Sequence, residues 1–372
     1  MNIYVMDPTT LSRLAVLNTY TARQWDRYWA ESGEFKIWAP VTEENDEFLV
    51  EENLLWPDDQ LLVGVIETIH KYTDEETGLP LMEVSGRFVE SSYLSRRIIW
   101  GNSLITDTPA NVIHRIVKGN SIAATDTDRR FGGAVWSTMT IASSVPSHSN
   151  ITYCNSYGNL WEEVKKLSLK YGLNVEFRYY NNGSLITIFG VISGGYNRTG
   201  SVNLSTDLGF LTDSSYLWDN TDYCNTALVA GEGEGADRTT VSIIPSTATQ
   251  RARRELYVDA RDLQKDSAST EEPMSDEEYE QVLTERGEKK LLDYPLYESY
   301  ECSLQLTGEE GYVFGTDYNL GDIVVLTDNV LKVQVQARVK EHHISEDKEG
   351  RVDTLVFGLA LPTITSLVKR RD

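Results

Sequence analysis

The sequence predicts an α+β fold that is mainly β, with β-rich blocks at both ends and a small α/β insert between them. Three observations carry that prediction. Across residues 331–340, Leu331, Val333, Val335, Ala337 and Val339 alternate with Lys332, Gln334, Gln336, Arg338 and Lys340, the period of a strand with one buried face. Asn182-Gly183 separates two strand-forming runs, 175–179 and 185–192, and both turn residues tolerate positive φ. Between them and the N-terminal block the apolar spacing turns helical in two runs, each with a cap at its start and the second with a glycine stop.

The elements follow in chain order. Phe35, Ile37 and Ala39 alternate as a strand, and the apolar run 61–68 followed by Met82, Val84 and Phe88 predicts a long hairpin, so residues 1–101 form a small barrel or sandwich. Thr108 caps a helix whose first turn holds Pro109 and whose stripe is Val112, Ile113, Ile116 and Val117. Asn159 caps a second helix with Leu160, Val164 and Leu167 inward and Gly172 as its stop. With the Asn-Gly hairpin these helices make residues 102–200 an α/β insert.

Polar residues dominate after Ser201, with short strands at 227–230 and 240–244. An acidic loop and helix occupy 265–292: residues 265–273 form the loop, and Ser275 with Glu278 fits a capping box for a short helix ending near Gly287. The stretch 312–325 predicts an aromatic strand, a turn over 319–322 and a second apolar strand, with Gly321 meeting the φ demanded by the turn.

At 372 residues the chain exceeds one ordinary core, and roughly two to four domains are expected. Its 57 acidic residues against 34 basic give a net charge of −23, which repels phosphate and argues against tight nucleic-acid binding. Cys154, Cys224 and Cys302 are widely spaced without a CxxC pair, the pattern of reduced, buried thiols and not of a disulfide framework or zinc knuckle. The N-terminus has no basic region followed by an apolar core, and no run approaches the length of a membrane span, so the sequons at Asn150, Asn182, Asn197 and Asn203 carry little weight.

No catalytic constellation emerges, and the expected catalytic, cofactor and metal residues are none. GEGEGAD at 231–237 lacks the Lys-Ser/Thr of a phosphate loop and carries two glutamates, so it reads as a turn. His342 and His343 stand beside Glu341 and Glu346 as a surface pair at a strand end, and His70, His114 and His148 lack metal spacing. Asp126 and Asp128 lack the rest of a calcium loop, and no GxSxG motif is present.

Four segments carry a resemblance: WDRYWAESGEFKIWAP (25–40), FVESSYLSRRIIWG (88–101), RGEKKLL (286–292) and YVFGTDYNLGDIVV (312–325). Together they resemble the tail-hub, or tail-tip, proteins of long-tailed bacteriophages, which are baseplate-hub-like and similar to the N-terminal part of the tail-associated lysin family. That resemblance implies two small β-barrel-like hub domains, at 1–101 and 201–372, around the insert. It implies a homotrimeric ring whose six modules join the sixfold tail tube and distal tail protein to a threefold tip. Expected partners are further copies of the chain, the tape measure protein, tip or receptor-binding proteins, and viral DNA passing without specific binding. The expected location is the virion tail, assembled in the host cytoplasm, with no stable membrane insertion. Its structural or interface signature would be Trp25, Tyr28, Trp29, Gly33 and Phe35, with Tyr312, Phe314, Tyr318, Leu320, Gly321 and Asp322 in the second module.

Two rivals come from other classes. Tail hubs often carry a wall-degrading module, but only LPTITSLVKRRD follows the last expected strand, too little for one. A host-surface carbohydrate-binding tail protein would use exposed Trp and Tyr as sugar platforms.

Overall fold

The computed structural model describes residues 2–75, 78–132, 138–181, 186–208, 211–266, 274–304 and 311–359. The expected Asn182-Gly183 turn and the C-terminal LPTITSLVKRRD lie outside them, as does most of the expected loop at 265–273.

The N-terminal region comprises β1 (Ile3–Met6), β2 (Arg13–Leu17), β3 (Ala22–Tyr28), β4 (Glu34–Pro40), α1 (Glu43–Phe48), β5 (Leu54–Pro57), β6 (Gly64–Val65), β7 (Thr68–Thr73) and β8 (Pro80–Arg87). Phe35, Ile37 and Ala39 of β4 are buried and alternate with more exposed residues, as their period requires. The long hairpin is present as β7–β8, paired from Thr68↔Ser85 to Thr73↔Pro80. It does not include the apolar run before it. Val63, Gly64, Val65 and Ile66 are buried in succession, which an outer hairpin strand cannot offer, and β6 pairs with β5 in a second sheet ordered β2-β1-β5-β6.

The insert holds α2 (Val89–Leu94), β9 (Asn102–Asp107), α3 (Pro109–Val117), β10 (Met139–Ile141), β11 (Ile151–Ser156), α4 (Leu160–Tyr171), β12 (Leu173–Asn181) and β13 (Ile186–Gly194). Strand β13 pairs antiparallel with β12 and parallel with β10, while β9 and β11 form a separate pair. Helix α4 starts and stops as its caps demand: the Asn159 side chain accepts from Glu162 N, and Gly172 takes a left-handed φ of 63°. At α3, Thr108 holds the cap position but its side chain makes no capping bond; Asp107 accepts from Thr108 N and from Asn111 Nδ2, both at 2.8 Å. The Asp107 carboxylate thus holds the first turn through Thr108 N and the Asn111 side chain.

The C-terminal region comprises β14 (Asn203–Ser205), β15 (Leu211–Asp219), β16 (Thr226–Ala230), β17 (Thr240–Ile243), β18 (Glu255–Asp259), α5 (Asp276–Leu291), β19 (Tyr297–Leu304), β20 (Ile323–Asp328), β21 (Val333–Asp347) and β22 (Gly350–Leu359). The Ser275–Glu278 capping box is formed in both directions. Helix α5 runs through Gly287 instead of ending there. A Cβ at that position would lie 2.4 Å from Val229 Cγ2 and 2.5 Å from Ile243 Cδ1, so the glycine lets the helix lie close on the three-stranded sheet β17-β16-β18. Lys170 to Glu285 at 2.6 Å and Lys289 to Glu163 at 3.2 Å tie α5 to α4.

The largest sheet has ten strands and joins the two ends of the chain in the order β15-β19-β22-β21-β3-β4-β8-β7, with β20 and β14 branching off β21. Strand β21 is the hinge of this arrangement. Its first half pairs with β20, its second half with β3, and β22 pairs with its other side from Ala337 to Asp347, with a register break between Val339 and Glu341. The fold is thus mainly β with a small α/β part, as expected, but the β regions are open sheets sharing one strand, and among the described residues no sheet closes on itself. Four buried clusters fill it: an N-terminal one around Trp25, Phe35 and Ile37, an insert one around α3, α4 and β12, a C-terminal one around Tyr300, Val324 and Phe357, and a small one between α5 and β16.

Candidate assembly surface

Where β21 passes from one partner to the next, three of the resembling segments meet. Trp25 is fully buried, stacking on Phe35 at 5.4 Å between ring centroids and packing against Phe88 at 5.0 Å. Gly33 O accepts from Phe88 N at 3.1 Å. Trp29 N donates to Lys340 O at 2.7 Å, and the Trp29 ring lies flush against Gly321, where an added Cβ would sit 2.0 Å from Trp29 Cζ3. Gly321 also has a φ of 91°, so its turn excludes a side chain twice over. Tyr28 is half-buried and meets the His343 ring edge-on at 5.5 Å.

Residues 312–318 are not the strand their aromatics suggest. Gly315 N donates to Tyr318 O, Asp317 N to Val313 O, and Val313 N to Asp317 Oδ2, closing a compact turn before β20 begins at Ile323. Gly315 and Asp317 favour this local bonding over a ladder. Tyr318 and Leu320 are buried in the C-terminal core, Phe314 packs on His342 at 4.4 Å, and Tyr312 is on the surface. Asp322, 2% exposed, accepts from Tyr196 N at 2.8 Å and Asn319 N at 3.0 Å, pinning the end of the insert to the β20 turn. The N-terminal residues and Tyr318, Leu320, Gly321 and Asp322 therefore come together as packing of the chain's own junction.

A chain of charges that no local pattern announces reinforces the junction. Arg23 is fully buried on β3 and donates to Glu346 Oε2 at 2.8 Å and to both oxygens of Asp59 at 3.2 and 2.9 Å. Asp59 also accepts from Arg351 at 2.8 Å, and Arg351 reaches Asp353, which lies 3.6 Å from His342. Burial would raise the Asp59 carboxyl, but the hydrogen bonds and charge of Arg23 prevail and hold it below its ordinary range. His342 is not on the surface: it is 5% exposed, and burial depresses its pKa. His343 points to the opposite face, between Asp26 at 2.9 Å and Glu341 at 2.8 Å, and its hydrogen bonds to these two carboxylates raise it to about 9. Both lie well inside β21, not at its end, because the strand extends to Asp347.

The outward face of β3, β4 and β8 is polar, carrying Gln24, Asp26, Glu34, Lys36, Glu83 and Arg87. An open cleft of about 590 Å³ lies between α5 and β11, lined by Glu277, Glu280, Glu285 and Glu288 with Tyr171 and Thr152. Among the described residues no cluster of His, Cys, Asp and Glu is placed to hold a metal, and no helix is long and apolar enough to cross a membrane. Of the three cysteines Cys302 is buried, and Cys154 and Cys224 are half-buried.

The sequence profile of the siphovirus ReqiPepy6 Gp37-like proteins matches residues 2–359. The chain belongs to that family. The fold of this Gp37-like chain is also that of several tail proteins of known structure, two of them from prophages. A tail protein from Neisseria meningitidis MC58 is similar at a TM-score of 0.56 with 12% identity, over 98% of this chain and 99% of that one. Prophage tail protein gp18 from Listeria monocytogenes EGD-e is similar at 0.56 with 12% identity, over 99% and 97%. The 43 kDa tail protein of prophage MuSo2 from Shewanella oneidensis is similar at 0.55 with 13% identity, over 97% and 98%. No curated protein matches the chain. The family is one of siphovirus proteins, and the fold is one that these tail proteins share.

Proposed function

We propose that this Gp37-like chain is the hub of the tail tip: a non-enzymatic ring of three copies that adapts the sixfold tube and distal tail protein to a threefold tip and lets DNA pass. Residues 1–101, 102–200 and 201–372 are its three units. One observation carries the reading: β21 pairs with strands of both chain ends, so each copy holds two β modules, around β4 and around β20, in one fixed relation. Three such copies present six β modules to a sixfold neighbour. A ring also needs two different complementary faces on each subunit.

The tape measure protein and tip or receptor-binding proteins are the remaining expected neighbours. The net charge of −23 suits a channel through which phosphate slides without sticking, and the mixed face of β3, β4 and β8, where Lys36 and Arg87 stand beside Asp26, Glu34 and Glu83, is its candidate lining. Electron cryomicroscopy of intact tails tests the ring: threefold density with two modules of each copy facing the tube is expected, and one or six copies per tail would overturn it. For DNA passage, tails carrying Glu34→Gln with Glu83→Gln are expected to assemble normally and to eject more slowly; unchanged ejection kinetics would refute the channel role.

A further inference from the structure

One corner of the insert gathers positive charge in a chain whose net charge is −23. The segment that follows α2 carries Arg96, Arg97 and Trp100, and the turn at 127–131 brings Arg129 and Arg130 against it. Arg96 is answered by Glu52 at 2.8 Å, but among the described residues Arg97, Arg129 and Arg130 form no ion pair. Asp126, on the same turn, is spent capping it through Asp128 N at 3.0 Å. Backbone carbonyls hold the three arginines instead: Arg97 donates to Arg129 O at 2.9 Å, Arg129 to Ile98 O at 2.7 Å and Arg130 to Ala124 O at 2.8 Å. A carbonyl fixes a guanidinium without cancelling its charge. Arg97 Nη2 and Arg129 Nε and Nη1 keep N–H groups that no described residue accepts. Burial and the like charges of Arg129 and Arg96 depress the Arg97 pKa.

Beside these guanidiniums stands Trp100, at 66% exposure the most open tryptophan among the described residues. Buried Asn120 sets the two in place: its Oδ1 accepts from Trp100 N at 2.9 Å and from Arg129 Nη2 at 3.3 Å, and the Arg129 guanidinium lies 5.0 Å from the centre of the indole. Arg97 lies 4.0 Å over the ring of Phe131, which stacks on Tyr93. We propose that this corner binds a sugar bearing phosphate, with the phosphate on Arg97 and Arg129 and the sugar ring against Trp100. The forked donors of arginine match phosphate oxygens two at a time, and an indole gives the apolar face of a sugar a flat surface to cover. The charge of the whole chain decides against a nucleic-acid strand. A long polyanion would run from the corner onto a surface with 57 acidic residues, whereas a ligand with one or two phosphates meets the guanidiniums alone. An acidic peptide would satisfy the guanidiniums and leave Trp100 open. Every group comes from one chain, so the site stands apart from the ring reading.

Fluorine NMR of the full-length chain labelled with fluorotryptophan tests the site, with Trp100→Phe identifying the Trp100 resonance. Glucose 6-phosphate is expected to shift that resonance saturably. Glucose is expected to bind roughly tenfold more weakly, for want of the charge-assisted bonds, and inorganic phosphate roughly fivefold more weakly, for want of the ring. By calorimetric titration, Arg97→Gln is expected to weaken glucose 6-phosphate roughly tenfold and Trp100→Ala roughly fivefold, the latter with a melting temperature within about 2 °C of the wild type because the side chain is exposed. A Trp100 resonance that glucose 6-phosphate leaves unmoved, or moves no more tightly than glucose does, overturns the site. Tighter binding of an oligoglutamate or of a thymidine oligonucleotide overturns it too, assigning the corner to an acidic peptide or to nucleic acid. The comparison of ligands on the unaltered chain decides the matter whatever the substitutions do to folding.

Discussion

Two carboxylate sites at the N-terminal module, one gathered around a buried cation and one itself buried, meet the cost of burial differently. Asp59 and Glu346 share the fully buried Arg23, and Arg351 and Asp353 extend the chain outward, so charge is answered by charge. Glu90 at the start of α2 is 3% exposed and accepts from Phe177 N at 3.3 Å, but among the described residues it makes no ion pair, because Glu176 beside it takes Arg27 at 3.5 Å and Arg178 at 2.8 Å. Burial, with the Glu176 charge added, pushes Glu90 up to about 8, and near neutral pH it is largely a protonated acid. The difference teaches that a buried carboxylate needs a cation of its own or it keeps its proton.

Opposite responses to pH follow. Asp59 titrates below its ordinary range when folded, so its stabilisation is present above its unfolded pKa and is lost as pH falls through the folded one. Glu90 titrates above its ordinary value of 4.5, so its contribution is present in acid and is lost as pH rises through about 8.

The largest expected effect comes from breaking the paired site. Asp59→Ala leaves Arg23 buried with Glu346 alone and is expected to cost roughly 3–5 kcal/mol in urea denaturation at pH 7; a loss under about 1 kcal/mol would mean the network is solvated. Next comes Glu90→Gln. At pH 4 it is expected to be nearly neutral, and at pH 9 to stabilise by roughly 3–4 kcal/mol, removing the fall in wild-type stability between pH 4.5 and about 8. Equal effects at both pH values would show that Glu90 does not titrate there. The smallest is His343→Gln, which removes a cation held by Asp26 and Glu341 and is expected to cost about 1 kcal/mol at pH 7. Because its folded pKa is raised, that cost is fully present below pH 6.5 and disappears as pH passes about 9, which a pH series of melting curves would read.

Local signals were legible and distant ones were not. The α4 caps at Asn159 and Gly172, the Ser275–Glu278 box and the alternation in the first part of β21 depend on neighbours a few residues away, and all are found where the pattern places them. The pairing of Arg23 with Glu346 spans 323 residues, and no period in either strand declares it. Aromatic enrichment misled at 312–318, where Gly315 and Asp317 close a turn, and Gly287 misled because close packing, not termination, demands it. In the candidate assembly surface, Trp29 and Gly321 were each visible as unusual residues; that they touch was not, since contact between chain ends is a property of the sheet order.

Because β21 carries hydrogen bonds for both β modules at once, neither can lose its ladder without disturbing the other. Calorimetry of the β portion should therefore show a single endotherm whose van't Hoff and calorimetric enthalpies agree, and a pull on one end of the chain is shared by both modules instead of peeling one away.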